Sequence, residues 1–258
     1  MSTATLPSLD HLFMADYEEV YEPSEDTYLV CDAIEQDRKY LHEELKPKLV
    51  VEVGCGSGCV ITFLAQLLQS CDATKTCQCI ATDINPKALD VTTRTAKAND
   101  VTVECVQTLD LVTGLEDRLH HKVDVLVFNP PYVPTPDEEV WDPSKHTLFS
   151  LGEGEEAEKT RPKLEGTDLD SLITASWAGG ENGRIVIDRF LPLLPSLLSP
   201  RGLNDDDKNG GRCYLVLVEE NKPGEIIQIV ESLGLTGRIV LDRRARNEGL
   251  QIMLIEWA

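Results

Sequence analysis

A short β-branched run, Leu49-Val50-Val51-Glu52-Val53, leads directly into Gly54-Cys55-Gly56-Ser57-Gly58 and then into an apolar helical stretch from Val60 to Leu68. Glycines let a backbone turn sharply and approach a ligand, and the helix start that follows offers unpaired N–H groups. Strand, glycine turn and helix in this order open a doubly wound α/β sheet. The G-x-G-x-G spacing is tighter than the G-x-G-x-x-G of dinucleotide-binding folds, which argues against a nicotinamide dehydrogenase. The pattern then repeats. Gln78 to Asp83 predicts a second strand, and Asn85 caps a helix with Pro86 at its first position, whose apolar face is Ala88, Leu89, Val91, Thr92, Thr95 and Ala96. A third strand, Thr102 to Gln107, leads to Asp110-Leu111. Any one of these tip acids alone would more often be a solvated loop residue. Glu52, Asp83 and Asp110 on three successive βα units instead predict one ligand-binding edge, with Asp83 placed to accept ribose hydroxyls.

A fourth strand, Val123 to Phe128, ends in Asn129-Pro130-Pro131-Tyr132. Two successive prolines fix φ and remove two amide donors, and Pro130 drives Asn129 towards extended backbone. A bare Pro-Pro is most often a turn. At the carboxyl end of a strand in this sheet it becomes a stiff corner presenting a side-chain amide and free carbonyls. Such rigid acceptors suit gripping an NH2 group while its nitrogen is modified.

Together these features resemble the class I S-adenosylmethionine-dependent methyltransferases that act on planar nitrogen, and more closely the HemK-like glutamine methyltransferases. The resemblance spans most of the chain. It rests on Tyr21-Glu22-Pro23-Ser24-Glu25-Asp26-Thr27, Thr82 to Pro86, Phe128 to Val133, Trp177-Ala178-Gly179-Gly180 and Leu198 to Leu203. It implies a mostly parallel, seven-stranded Rossmann-like sheet with helices on both faces. It also implies transfer of a methyl group from S-adenosylmethionine to the Gly-Gly-Gln glutamine of the class I translation termination factor. Glu52 and the Gly54, Gly56 and Gly58 turn would hold the methionine part of the cofactor, Asp83 the ribose, and Asp110 with Leu111 the adenine. Thr27 would close the pocket from the amino-terminal side, in a segment (1–46) that carries a Ser24-capped helix. Asn129, Pro130, Pro131 and Tyr132 would form the catalytic corner. Asn129 would also touch the cofactor, and Asn129, Pro130 and Tyr132 the substrate amide.

Composition narrows the alternatives. Adenine-N6 methyltransferases of nucleic acid also use Asn-Pro-Pro-Tyr corners, yet they must meet a polyanion with basic surface. This chain carries 24 Lys and Arg against 45 Asp and Glu, a net charge of −21. A protein substrate fits better, and direct nucleic-acid binding is not expected. A cofactor-binding scaffold without catalysis remains the other alternative, against which the intact corner argues. The 258 residues suffice for one methyltransferase domain with a sizeable core. No apolar run reaches the ~18–20 residues of a membrane span, and no signal sequence opens the chain. The eight cysteines form no C-x-x-C pair, so zinc and disulfides are not expected in this chain and a reduced cytoplasmic setting is, with room for a nuclear pool.

Two acidic insertions, 137–170 and 204–211, read as mobile surface loops, the first more plausibly inert than a substrate lid. Beyond them Cys213 to Val218 predicts a strand, Pro223 to Gly234 a helix, and Gly237 to Leu241 with Leu250 to Trp257 an antiparallel hairpin. The family strand order would leave Thr102 to Gln107 on an edge, rather apolar for an exposed position, and open edges invite strand addition. The resemblance implies that a small zinc-ribbon activator subunit pairs there, making the chain the catalytic half of a heterodimer. The termination factor would be presented alone or with its GTPase partner.

Overall fold

A computed structural model describes residues 5–69, 77–108, 110–146, 169–202, 209–245 and 248–258. The expected strands and helices form in the expected order, joined by two helices between the fourth and fifth strands that the sequence reading does not predict. These are α1 (Glu25–Gln36), β1 (Leu49–Val53), α2 (Cys59–Gln69), β2 (Gln78–Asp83), α3 (Pro86–Ala98), β3 (Glu104–Gln107) and β4 (Val125–Phe128). After them come α4 (Leu169–Ala175), α5 (Ile185–Phe190), β5 (Arg212–Val218), α6 (Pro223–Ser232), β6 (Leu235–Ala245) and β7 (Glu248–Trp257). The seven strands form one sheet in the order β3-β2-β1-β4-β5-β7-β6. β1 to β5 pair in parallel, while β7 runs antiparallel to both β5 and β6. The chain winds outward from β1 to β3 and resumes at β4 on β1's other side. A crevice opens where the order reverses, between the carboxyl ends of β1 and β4.

The fully buried strands explain their composition. β1, β4 and β5 are buried along their whole length, and each reads as an apolar run because helices cover both faces of a parallel sheet. One core cluster lies between the sheet and α1 and α2, including Leu29, Ile34, Ile61 and Leu64, and a second joins Phe128 and Leu126 to Ile187, Phe190 and Leu194. Each fully buried Leu or Ile contributes roughly 1.5–3 kcal/mol. The bounds of five strands differ from the sequence reading, β5 and β7 only by starting earlier, at Arg212 and Glu248. β3 begins at Glu104 rather than Thr102, leaving Thr102 and Val103 as an unpaired approach. β4 begins at Val125, because Asp124 turns its carboxylate inward to accept the Lys48 and Leu49 N–H groups at 2.7 and 3.0 Å. β6 is longer than Gly237 to Leu241, running on past a bulge between Ile239 and Leu241 to Ala245.

α1 matters for the site because it lies across the sheet and is pinned at several points. Asp37, just past its end, accepts from Arg212 Nη1 at 2.8 Å and from Tyr214 Oη at 2.5 Å, and Asp32 pairs with Arg243 of β6. Upstream, Leu9, Leu12, Tyr17 and Val20 pack on Ala88 and Val91 of α3. Asn85 Nδ2 donates to the Glu19 carbonyl at 2.7 Å, and Asp16 pairs with Arg94. The acidic amino-terminal stretch is thereby a strap laid along α3 and over the crevice. Of the two acidic insertions, 147–168 and 203–208 lie outside the described residues. The described flank of the first forms helical turns at Asp137–Glu139 and Pro143–Lys145. No helix among the described residues is long and apolar enough to cross a membrane.

Candidate active site at the carboxyl ends of β1 and β4

The glycine turn leaves β1 tied to β2, because the Gly54 and Cys55 N–H groups both donate to the Thr82 carbonyl, at 2.8 and 3.0 Å. Gly54, Gly56 and Gly58 have φ of +67°, +50° and +75°. Gly58 is the most constrained of these. A Cβ there would sit 2.7 Å from Thr92 Cα, so only glycine lets α3 close on the turn. Glu52 is 3 % exposed, and its Oε2 accepts the Ile61 N–H of α2 at 2.9 Å. Burial pushes its carboxyl well above the usual range, against the partial counterweight of that amide.

Asp83 closes β2. Its Oδ2 accepts the Gly56 N–H at 3.0 Å and its Oδ1 the Asn85 N–H at 2.8 Å, so the carboxylate clasps the glycine turn to the start of α3. Burial raises its pKa to about 6, although the Asn85 and Gly56 amides pull the other way. Asp110 lies beyond β3, with Oδ1 3.2 Å from Arg189 Nη2 of α5. Burial raises its carboxyl, and the guanidinium opposes the rise. Leu111 adopts φ +46°, a conformation unusual for a non-glycine residue, while its carbonyl accepts from the Thr82 and Thr108 hydroxyls at 3.1 and 3.0 Å.

At the end of β4, Asn129 Nδ2 donates to Asp26 Oδ2 at 2.9 Å, and Tyr132 Oη donates to the same oxygen at 3.2 Å. Asp26 Oδ1 accepts the Thr27 N–H at 2.7 Å. Tyr21 Oη lies 3.3 Å from Asp26 Oδ2. Asp26 is 3 % exposed and joins four polar groups from the strap, α1 and the corner. Asn129 lines the crevice, and with its NH2 end taken its Oδ1 is left buried without a hydrogen-bond partner. A buried acceptor left unmet costs about 1–3 kcal/mol. Thr27 lines the same crevice, but its hydroxyl also caps α1, accepting the Ser24 N–H at 3.3 Å.

The corner is held from behind. Val133 bridges Ala178, with the Val133 N–H donating to the Trp177 carbonyl and the Gly179 N–H to the Val133 carbonyl. Asn221, fully buried just past β5, donates through Nδ2 to the Tyr132 and Asn182 carbonyls, both at 2.9 Å. A Cβ on Gly183 would lie 1.8 Å from the Tyr132 oxygen, which is why the segment after Trp177 is glycine-rich. One crevice is lined by every site residue that the sequence singled out except Gly58, which packs beneath it: Thr27, Glu52, Gly54, Gly56, Asp83, Asp110, Leu111, Asn129, Pro130, Pro131 and Tyr132. Sequence reasoning missed Asp26, Asn221 and Arg189, and also Trp141, which lines the crevice. Only Asp26 carries a local signal, as an acid beside Thr27 in the Tyr21 to Thr27 stretch.

The donor set fits an S-adenosyl cofactor. Three tip carboxylates lie along one edge, the glycine turn leaves room for close approach, and the corner carries an unmet acceptor in Asn129 Oδ1. Comparison with known proteins agrees. The methyltransferase small domain family matches residues 32–142. The chain is 42 % identical to human methyltransferase HEMK2 over 247 residues, covering 96 % of this chain and 94 % of the other. It is 32 % identical to the fission yeast eRF1 methyltransferase catalytic subunit mtq2, again over 96 % and 94 % of the two chains. Among solved structures, the E. cuniculi Mtq2–Trm112 complex, responsible for methylation of the eRF1 translation termination factor, matches with a TM-score of 0.55 and 26 % identity, covering 93 % of this chain and 99 % of that one. With such identity running nearly end to end in both relatives, the chain belongs to the HEMK2/Mtq2 family of S-adenosylmethionine-dependent methyltransferases.

Proposed function

We propose that this protein methylates the side-chain amide nitrogen of the Gly-Gly-Gln glutamine in the class I termination factor, as the catalytic subunit of a heterodimer. The observation that carries the reading is the Asn129 amide: Asp26 holds its NH2 end, and its oxygen is buried and unmet in a residue that lines the crevice. Bound S-adenosylmethionine supplies an electrophilic methyl group. The protein's part is to hold a poor nucleophile still. An amide lone pair is delocalised, so orientation counts for more than a base, and good positioning is worth up to ~7–11 kcal/mol. Asn129 Oδ1 and the Pro130 carbonyl each accept one N–H of the substrate amide, and Tyr132 packs against its plane. The same acceptors stabilise positive charge developing on nitrogen, and the proton leaves to water after transfer. Glu52 and the glycine turn hold the amino-acid end of the cofactor, Asp83 its ribose, and Asp110 with Leu111 its adenine.

The fission yeast relative is named as an eRF1 methyltransferase subunit and the E. cuniculi structure is a complex with Trm112, which supports the substrate and a small activator partner. β3 lies on a sheet edge, as the partner reading requires, and is the element on which a zinc-ribbon subunit would add a strand. In this reading any zinc is the partner's. Methyl transfer from labelled S-adenosylmethionine to the termination factor, with the activator present and the GTPase partner added or omitted, tests the proposal. Label should vanish when the Gly-Gly-Gln glutamine is changed. Label persisting there, or appearing on nucleic acid, would overturn the substrate. Full activity of the isolated, monomeric chain would overturn the heterodimer.

The Asp83 carboxylate adds a pH dependence. Above its pKa of about 6 it is ionised and accepts from ribose hydroxyls, and below that value it gains a proton and loses an acceptor site. Affinity for S-adenosylhomocysteine should therefore hold above pH 7 and fall as the pH drops through about 6. Calorimetric titration between pH 5 and 8 checks this, and Asp83→Asn should bind weakly and lose the Asp83 step, leaving only the dependence that Glu52 and Asp110, also raised by burial, contribute.

A further inference from the structure

The first acidic insertion is an excursion with a closed base. It leaves the sheet at the Val133–Ala178 bridge, directly after the catalytic corner, and its two ends are clipped together. The Thr135 N–H donates to the Gly180 carbonyl at 3.1 Å, and the Glu181 N–H to Asp137 Oδ1 at 2.9 Å. From this base Trp141 reaches back over the sheet edge. It is 8 % exposed, packs with Leu172 and Ala175 of α4, and is stacked by His146 with ring centroids 3.8 Å apart and planes within 7°. The fourth member of that cluster is Ile84, the residue after Asp83. Trp141, Leu172 and Ile84 all line the crevice.

We infer that Trp141 is a cofactor-binding residue, the aromatic wall of the adenosine end of the crevice, built by an insertion that the sequence alone marks as inert. Nothing in the catalytic corner calls for a large buried indole here. Its neighbour Ile84, the residue directly after Asp83, places it at the Asp83 end of the crevice. A purine offers two flat apolar faces, and aromatic side chains bind them by stacking and dispersion without reading hydrogen-bond edges. Asp110 and Leu111 would read the adenine edge while the Trp141–Ile84 wall covers a face. This inference rests on the proposed placement of adenosine between Asp83 and Asp110, but not on the identity of the methylated substrate.

The test uses the full-length protein labelled with 5-fluorotryptophan. The chain has three tryptophans, so three fluorine resonances are expected, and Trp141→Phe identifies its own by deletion. Titration with S-adenosylhomocysteine should move the Trp141 resonance and leave that of Trp257 in place. By calorimetry, Trp141→Ala should weaken S-adenosylhomocysteine about ten-fold or more, while Trp141→Phe should stay within about three-fold. The KM of the protein substrate should change less than two-fold. A Trp141 resonance that ignores the ligand would overturn the inference, and so would weakening confined to the protein substrate. If Trp141→Ala fails to fold, the resonance titration decides alone. Asp83→Ala tests the adenosine placement separately: if that variant binds S-adenosylhomocysteine normally, the placement fails and the wall loses its ligand.

Discussion

Asn129→Ala should lower kcat for methyl transfer by about 10²–10³-fold, the usual cost of removing one preorganised hydrogen-bonding group aimed at developing charge. Affinity for S-adenosylhomocysteine should change by less than about ten-fold, because Glu52, the glycine turn, Asp83 and Asp110 all lie elsewhere along the crevice. Folding should survive. The substitution removes an oxygen that already lacks a partner, and the Asp26 oxygen it vacates still accepts from Tyr132. Single-turnover methylation, product calorimetry and a thermal melt, run on one preparation, separate the three effects. A variant that loses cofactor affinity as steeply as turnover would move Asn129 from the substrate to the cofactor. A variant that transfers methyl groups at the original rate would remove the corner from the mechanism.

Much of this site was legible because its parts are local. A glycine turn, a strand-tip acid and a capped helix are each written within five or six residues, and β1, β2 and α3 begin or end where those signals lie. The antiparallel β6–β7 pair was legible for the same reason. What escaped has long range. Asp26 meets Asn129 across 103 positions, and Asn221 meets Tyr132 across 89. No spacing rule connects them until the sheet has brought the ends of α1, β4 and β5 together. The amino-terminal strap escaped because its apolar residues, Leu9, Leu12, Tyr17 and Val20, are scattered among acids and gain a pattern only from the α3 face they cover. Trp141 escaped because a residue in an acidic insertion acquires a neighbour such as Ile84 only through the clipped base at Val133 and Ala178. The glycines after Trp177 sit between these cases. Their identity was visible, but the reason for it, the approach of Gly183 to the Tyr132 carbonyl, is tertiary.

Asp26→Asn should leave the fold nearly intact and still reduce kcat by about 10²-fold or more, by turning the Asn129 amide around. The geometry forces this. Asp26 Oδ1 faces the Thr27 backbone N–H at 2.7 Å, a donor that cannot rotate, so the new asparagine must keep its oxygen there. Its NH2 then occupies the position of Oδ2, facing Asn129 Nδ2, which lies 2.9 Å from that oxygen in the native site. Two donors cannot share that contact. Asn129 relieves it by flipping, which gives its oxygen to residue 26 and sends its NH2 into the crevice, where it opposes the NH2 of the substrate. Tyr132 and Tyr21, the other two donors to Oδ2, can turn their hydroxyls away or accept instead, since a phenol oxygen does either. Asp26→Ala tests less, because it strands Thr27, Asn129 and Tyr132 together, and each buried donor without a partner costs about 1–3 kcal/mol. The decisive variant is the exchange Asp26→Asn with Asn129→Asp. It conserves charge, lets the residue-26 NH2 donate to one oxygen of the new carboxylate, and returns the other oxygen to the crevice as an acceptor. Turnover in the exchange should exceed that of Asp26→Asn by about ten-fold, with equal melting temperatures and S-adenosylhomocysteine affinities. An exchange no more active than the single variant would show that Asp26 acts through something other than the orientation of Asn129.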